Sequence, residues 1–185
     1  MPGAEHVAHP TAIVEPGAKV GRRTRVWHHA HVRDGSQVGE DCVLGKNVFI
    51  DTQAVIGDRC KIQNNVSVFH GVTIGDDVFV GPSVTFTNDL VPRAFNTEWT
   101  ITETTVGNGA SIGANATIVC GNRLGRYSMI AAGSTVTHDV ADHELVAGVP
   151  ARRLGWVCRC GRVVSRDVEA PDELRCDACR QKEGA

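Results

Sequence analysis

The sequence predicts an all-β fold: a parallel β-helix of hexapeptide repeats with a protruding loop, followed by a small cysteine-rich tail. The main observation is periodic. A large apolar residue returns at every sixth position from Val14 to Phe86 and again, in a shifted phase, from Val106 to Val136. Neither an α-helix nor an ordinary strand repeats at six, whereas a β-helix does. Four cysteines gathered after residue 157 mark the tail.

Each repeat pairs its large apolar residue, here called the anchor, with a small residue four positions later. This pattern predicts anchors that fill a narrow core, with about 18 residues to each three-sided coil and parallel strands stacked about 4.8 Å apart. Cys42, Cys60 and Cys120 lie inside the repeats and are interpreted as small core residues. The segments 1–13 and 138–157 are predicted to cap the two ends.

The rhythm stops between Phe86 and Val106, positions 20 residues apart, which is two more than one whole coil. Proline, arginine and tryptophan occur together within the segment 87–105. We therefore predict an ordered loop that leaves the body of the helix and carries function. A neutral surface insertion is the alternative.

His70 and Asn88 lie 18 residues apart, each two positions after an anchor. They are therefore predicted to stack on one face, about 4.8 Å apart between backbones, at the start of the loop. An imidazole beside a carboxamide under a loop suits an active site. A turn asparagine and an exposed histidine that happen to align are the alternative.

The other histidines give a weaker signal. His28, His29 and His31 resemble a metal cluster, but they fall on a predicted bend, where side chains diverge. A solvated surface is the preferred interpretation.

The tail contains two close cysteine pairs, and its chemistry points to metal. Cys158 and Cys160 precede Cys176 and Cys179 by about 15 residues, a spacing that allows a tetrahedral thiolate site. Zinc with four thiolates has no open position for catalysis, so a structural zinc ribbon is predicted, although one residue between the first two cysteines is fewer than the usual two. Two reduced or oxidised pairs are the alternative. The predicted domains are 1–157 and 158–185.

Bulk properties limit the partners. The 185 residues carry a net charge of −2, and no apolar run is long enough to span a bilayer, so neither nucleic acid nor a membrane is an expected partner. The first residues lack the features of a signal peptide. With an odd number of cysteines, seven, the sequence predicts a reducing, cytoplasmic location.

Four segments carry a resemblance to a known family: 78–89, the Pro92-Arg93 pair, 109–118, and the closing 148–153. Through them, residues 7–157 resemble the hexapeptide-repeat acyltransferases, and in particular the sugar-nucleotide 3-N-acetyltransferases of the UDP-2-acetamido-3-amino-2,3-dideoxy-glucuronate type. The resemblance implies a left-handed β-helix, a homotrimer with sites between subunits, acetyl-CoA as co-substrate and a nucleotide sugar as acceptor.

The resemblance also implies roles for single residues. Asn88 holds the sugar amine, while Asp89 and Arg93 contact the nucleotide sugar. The remaining implied residues bind CoA: Ala114 and Ala132 along the pantetheine channel, and His138, Arg152 and Arg153 near the phosphates. Two positions depart from the family pattern. His70 stands where relatives often carry another polar residue, and His138 stands where a lysine is common.

We expect His70 either to accept a proton or to hydrogen-bond the sugar. Three other functions stay open. O-acetylation of a sugar hydroxyl would make His70 indispensable as a base. Segment 26–35 faintly resembles the γ-type carbonic anhydrases, but a pair of histidines in the middle coils is missing. A non-catalytic scaffold is the third, and binding of acetyl-CoA would separate it from an acyltransferase.

Overall fold

The computed structural model describes residues 5–183 and confirms the parallel β-helix. The first four residues of the predicted N-terminal cap lie outside the described residues. Within the described part, no helix is long and apolar enough to cross a bilayer.

Three sheets of short parallel strands form the three faces of the helix. Face A contains β1 (Val7–Ala8), β4 (Arg25–Val26), β7 (Val43–Leu44), β10 (Lys61–Ile62), β13 (Phe79–Val80), β16 (Ser111–Ile112), β19 (Met129–Ile130) and β21 (Glu144–Gly148). Face B contains β2 (Ile13–Val14), β5 (His31–Val32), β8 (Phe49–Ile50), β11 (Ser67–Val68), β14 (Thr85–Phe86), β17 (Thr117–Ile118) and β20 (Thr135–Val136). Face C contains β3 (Lys19–Val20), β6 (Gln37–Val38), β9 (Val55–Ile56), β12 (Val72–Ile74), β15 (Thr104–Val106) and β18 (Arg123–Leu124).

The strand register gives the size of the loop. Below it, paired residues are 18 apart, as for Ser67 and Thr85. Across it the offset is 32, as for Thr85 and Thr117, so 14 residues are additional. The break is therefore one ordinary bend between β14 and β15 with 14 residues inserted. It does not replace a whole coil, because β15 continues face C directly above β12.

The predicted core is confirmed. The anchors from Val26 to Val136 are buried, and so are the small residues four positions after many of them. Val14 and Val20, in the first coil, are only partly buried. The thiols of Cys42, Cys60 and Cys120 are buried as predicted, with at most 2% of each residue exposed.

Glycine follows many anchors because the next coil passes close by. A Cβ on Gly81 would lie 2.6 Å from the backbone nitrogen of Ala114, and one on Gly57 would lie 2.7 Å from the backbone carbon of Gly75. The residue two positions after such a glycine adopts the left-handed backbone conformation. There φ lies between 57° and 60° at Arg23, Asp41, Arg59, Asp77, Ser83 and Asn115.

The C-terminal end is closed by an antiparallel extension of face A. After β21 the chain turns at Val149-Pro150, whose peptide bond is cis, into β22 (Ala151–Val157), and β23 (Val163–Ser165) pairs with β22. A short helix, α1 (Asp177–Glu183), ends the described chain. The predicted capping segment therefore closes the stack, and β23 attaches the tail to the body.

Candidate active site and thiolate cluster

His70 and Asn88 lie in consecutive bends at the corner between faces B and C. The pairing of Ser67 with Thr85 sets this register, and each residue follows its paired strand position by three. The same register continues upward through the pairs Thr85–Thr117 and Thr117–Thr135. Cys120 and His138 therefore occupy the next two positions of this column. The inserted loop hides this alignment of His138 in the sequence.

The bend that carries His70 is held from below by charged side chains. The backbone N–H of His70 donates a hydrogen bond to Oδ2 of Asp51, at 3.3 Å. The Asp51 side chain is only 14% exposed, and its Oδ1 accepts a hydrogen bond from the Arg33 guanidinium at 2.7 Å. Sequence reasoning missed both residues. Their 18-residue spacing is the signal that could have found them.

The loop is closed at its base and braced within. The carbonyl of Asn88 accepts a hydrogen bond from the Thr102 N–H, at 3.0 Å. The Asp89 carboxylate accepts one from the Val91 N–H, at 2.8 Å, and the Arg93 carbonyl accepts one from the Asn96 N–H, at 2.9 Å. These contacts support the predicted ordered loop.

The outer part of the loop exposes large apolar side chains. Phe95 is 82% exposed and Trp99 is 47% exposed. A cleft of about 270 Å³ lies between Asp89, Trp99 and their neighbours in the loop. The Arg93 side chain is exposed and donates a hydrogen bond only to the adjacent Pro92 carbonyl among the contacts of the described chain. Arg93 is not among the residues that line the cleft, but its exposed guanidinium in the same loop can contact an anionic ligand.

Ala114 and Ala132 occupy consecutive bends at a different corner, between faces A and B. The Gly133 N–H donates to the carbonyl of Ala114 at 2.8 Å, and the Asn115 N–H donates to that of Pro82 at 2.9 Å. Neither side chain extends beyond Cβ, so the two positions form a strip of small residues along the corner. Within one chain, this strip and the column of His70 and Asn88 lie at opposite edges of face B.

The two arginines of the closing segment have different surroundings. The Arg153 Nε lies 2.7 Å from Oε1 of the buried Glu144, and the Arg153 guanidinium carbon lies 4.7 Å from the centre of the Trp156 ring. Arg153 thus braces the β21–β22 hairpin. Arg152 is exposed and donates a hydrogen bond to the neighbouring Ala151 carbonyl. His138 is exposed as well.

The four tail cysteines converge. Their Sγ atoms all lie within 4.8 Å of one another, and those of Cys160 and Cys176 are 3.5 Å apart. With Zn–S bonds of about 2.3 Å, a tetrahedral site has sulfurs about 3.8 Å apart, so the set fits zinc. Among residues 5–183 it is the only group of three or more such ligands gathered this closely.

The thiols perturb one another. Burial disfavours the Cys158 thiolate, but the backbone N–H groups of Cys160 and Cys176 and the adjacent thiols stabilise it and lower its pKa to about 6. Hydrogen bonding with the other thiols, first that of Cys160, raises the pKa of Cys179 to about 12. A cation is needed for all four to ionise together.

The histidine-rich segment forms no comparable group within the described chain. His28 and His29 lie on a bend, whereas His31 lies on β5 and its Nε2 is 2.7 Å from Oε1 of Glu15. The His28 ring lies against the His9 ring, with centroids 3.5 Å apart, and its centroid is 6.4 Å from that of His29. His28 and His29 are exposed, in agreement with a solvated surface.

Comparison with known proteins decides the family. The family "Bacterial transferase hexapeptide (six repeats)" matches residues 35–70 and 53–88, and "Hexapeptide repeat of succinyl-transferase" matches residues 103–138. The dTDP-3-amino-3,6-dideoxy-alpha-D-galactopyranose 3-N-acetyltransferase of Aneurinibacillus thermoaerophilus is 45% identical over 152 residues, which are 82% of this chain and 79% of that protein. The chain belongs to the hexapeptide-repeat sugar-nucleotide N-acetyltransferases.

Solved structures agree on the fold of this acetyltransferase. A variant of the GDP-perosamine N-acetyltransferase from Caulobacter crescentus, in complex with CoA and GDP-perosamine, has a TM-score of 0.56 at 22% identity over 83% of this chain. The acetyltransferase domain of PglB from Neisseria gonorrhoeae, in complex with acetyl coenzyme A, has a TM-score of 0.56 at 21% identity over 82% of this chain. The present chain spans 58% of the length of each.

Proposed function

We propose that the protein transfers the acetyl group of acetyl-CoA to the 3-amino group of a nucleotide-linked amino sugar, in polysaccharide or glycoconjugate biosynthesis. The observation that carries this proposal is the 45% identity, over 82% of the chain, with a 3-N-acetyltransferase of that chemistry. The braced loop that begins at Asn88 supports it, because a long ordered loop on a rigid scaffold suits substrate binding.

The reaction is an acyl transfer to nitrogen. The neutral amine attacks the thioester carbonyl carbon, a C–N bond forms, the C–S bond breaks, and the amine proton is lost as CoA leaves as the thiolate. Asn88 orients the amine through its carboxamide, and His70 either accepts the proton or hydrogen-bonds the sugar. Backbone N–H groups of the adjacent coil stabilise the developing oxyanion. Asp89 and Arg93 contact the nucleotide sugar.

Acetyl-CoA binds along the strip of small residues in the upper coils. Ala114 and Ala132 leave room for the pantetheine arm, because no longer side chain projects there. His138, Arg152 and Arg153 lie toward the phosphates. Of the two arginines, Arg152 is the stronger contributor, since Glu144 already engages the Arg153 guanidinium.

Two subunits are needed for one site. Asn88 and the Ala114–Ala132 strip occupy different corners of the same chain, so a neighbouring copy has to bring an acceptor corner against a donor corner. A homotrimer with three equivalent sites satisfies this requirement for a three-sided prism. The seven free thiols favour a reducing, cytoplasmic location.

The thiolate cluster serves as a structural zinc site. Cys158, Cys160, Cys176 and Cys179 would hold the ion, which would cross-link the two halves of a tail that has little apolar core of its own. Four protein ligands leave no open position, so the proposed acetyl transfer does not run through the metal.

A thiol-release assay tests the function. Acetyl-CoA would be mixed with 3-amino and 4-amino sugar nucleotides in UDP-, dTDP- and GDP-linked forms, and free CoA would be followed with a thiol reagent. We expect release with a 3-amino sugar nucleotide, together with an acetylated product in the mass spectrum. Binding of CoA without release for any acceptor would contradict the proposal.

A further inference from the structure

We infer that the nucleotide part of the substrate binds in a cleft at the corner between faces A and B, which Trp27 helps to line. This inference rests on the proposed function, which it deepens by assigning the nucleotide site. The cleft has a volume of about 270 Å³ and is lined by Trp27, Lys46, Gln63 and Asn64 among others. Sites for whole small ligands begin at about 300 Å³, so a cleft of this size suits a base with its ribose.

The indole of Trp27 is available for stacking. It is 44% exposed, although a tryptophan gains more than almost any other residue from burial. The equivalent position in the next coil is Gly45, which has no side chain to cover the ring. The His28 ring, which also lines the cleft, lies nearly parallel to the indole, with ring centroids 6.2 Å apart. An exposed aromatic ring in a polar cleft is a platform for the flat face of a base.

The cleft also offers groups that read the edge of a base. Oδ1 of Asn64 accepts a hydrogen bond from the Lys46 backbone N–H, at 2.8 Å, which fixes the carboxamide and leaves its NH₂ group to donate. Gln63 adds a second carboxamide, which both donates and accepts. This set matches a base that presents a carbonyl oxygen next to a ring N–H.

Charge around the cleft suits a diphosphate. No acidic residue is among those that line it. Arg25 and Lys61 project from β4 and β10, on either side of β7, and Lys46 lies in the bend that follows β7. In the described chain these three cations form no ion pair, whereas Arg22, Arg23 and Arg59 at the next corner do. Unpaired cations without acidic neighbours attract phosphate.

Along the axis of the β-helix, the cleft lies close to the coil that carries Asn88. Its upper strand, β10, pairs with β13, which belongs to the same coil as β14 and Asn88. The top of the cleft is therefore one strand spacing, about 4.8 Å, below the coil of the proposed amine site. Asn88 of the same chain lies at the other edge of face B, so a nucleotide bound here presents its sugar to Asn88 of a neighbouring copy at this level.

Titration of the full chain with UDP, dTDP and GDP tests this site. Calorimetry would give Kd for the native protein, Trp27→Leu, Trp27→Phe and Lys46→Gln, with Lys19→Gln as the control on face C. We expect at least one nucleotide to bind, and its Kd to rise about tenfold in Trp27→Leu and to return toward the native value in Trp27→Phe. Lys46→Gln should raise Kd and weaken its salt dependence, and Lys19→Gln should change neither.

Acetyl transfer, measured on the same variants, separates the two proposals. Transfer to a 3-amino sugar nucleotide with an unchanged KM and an unchanged nucleotide Kd in Trp27→Leu would overturn the cleft assignment and leave the proposed function intact. Nucleotide binding that depends on Trp27, without transfer to any amino sugar, would overturn the proposed function and keep the cleft. Failure of the native protein to bind any of the three nucleotides would overturn the cleft as well.

Discussion

Asn88 is the residue on which the proposed chemistry depends most. Its carboxamide stands at the start of the loop, one coil above His70. We predict that Asn88→Ala lowers kcat/KM about 100-fold, because it removes the group that orients the attacking amine. Steady-state kinetics with saturating acetyl-CoA would measure this. Gln37→Ala, a carboxamide removed from face C, is the control, and equal kinetics for the two variants would exclude the role of Asn88.

Glu15 makes a small, pH-dependent contribution to stability. Its carboxylate accepts hydrogen bonds from the Asp34 N–H and the His31 ring, and the pKa of Glu15 is lowered from its ordinary value of 4.5, first by the Asp34 contact. A lowered pKa means that the stabilisation is complete above about pH 4.5 and is lost as pH falls through the folded-state value.

Between about pH 5 and about pH 3, the Tm of the native protein should therefore fall further than that of Glu15→Gln. Thermal melts followed by circular dichroism would show the difference. Glu98→Gln, which removes an exposed carboxylate of the loop, should show the same change of Tm with pH as the native protein. Parallel pH curves for Glu15→Gln and the native protein would refute the assignment.

The loop is an insertion into an otherwise continuous element. Because β14 and β15 keep their places in faces B and C, deletion of residues 89–102 would restore the six-residue step from Phe86 to Val106. We predict that the deletion variant folds with a Tm within a few degrees of the native value and loses acetyl transfer, since Asp89 and Arg93 go with the loop.

Far-ultraviolet circular dichroism and the thiol-release assay would be run together on this variant. Retained transfer would show that the loop is a neutral insertion, the alternative that the sequence left open. A collapse of the β-sheet signal would show instead that the loop is part of the folding core.

At the scale of strands and loops, the sequence determines much of the fold through its repeat. A period of six ties each anchor to one inward position, so the core and the register of His70 and Asn88 follow from counting. The length of the insertion does not follow, because only the strand pairing shows that β15 lies directly above β12. The 18-residue spacing aligns Asp51 with Arg33, but the contact of Asp51 with the His70 N–H depends on a side-chain direction that no period encodes. The same holds for the pairing of Arg153 with Glu144.

For the whole molecule, the tail is expected to depend on metal. We predict one zinc ion per chain in the purified protein, lost in Cys176→Ser and Cys179→Ser, because three thiolates no longer complete the tetrahedral set. Metal analysis would be combined with limited proteolysis. In both variants the protease should cleave the tail while the β-helix stays intact. Cys60→Ala, a buried thiol outside the tail, should keep its zinc. Full zinc content in both serine variants would contradict the site.

The most direct test of the central claim compares two acceptors that differ at one atom. A nucleotide sugar with an amine at position 3 would be set against the same compound with a hydroxyl there, both at saturating acetyl-CoA, and kcat/KM would be measured for each. The proposed mechanism predicts that the amine is preferred by at least about 100-fold, since orientation by Asn88 needs no strong base. A hydroxyl acceptor that reacts as well as the amine would contradict N-acetylation and would make the His70 imidazole the base of an O-acetyltransferase.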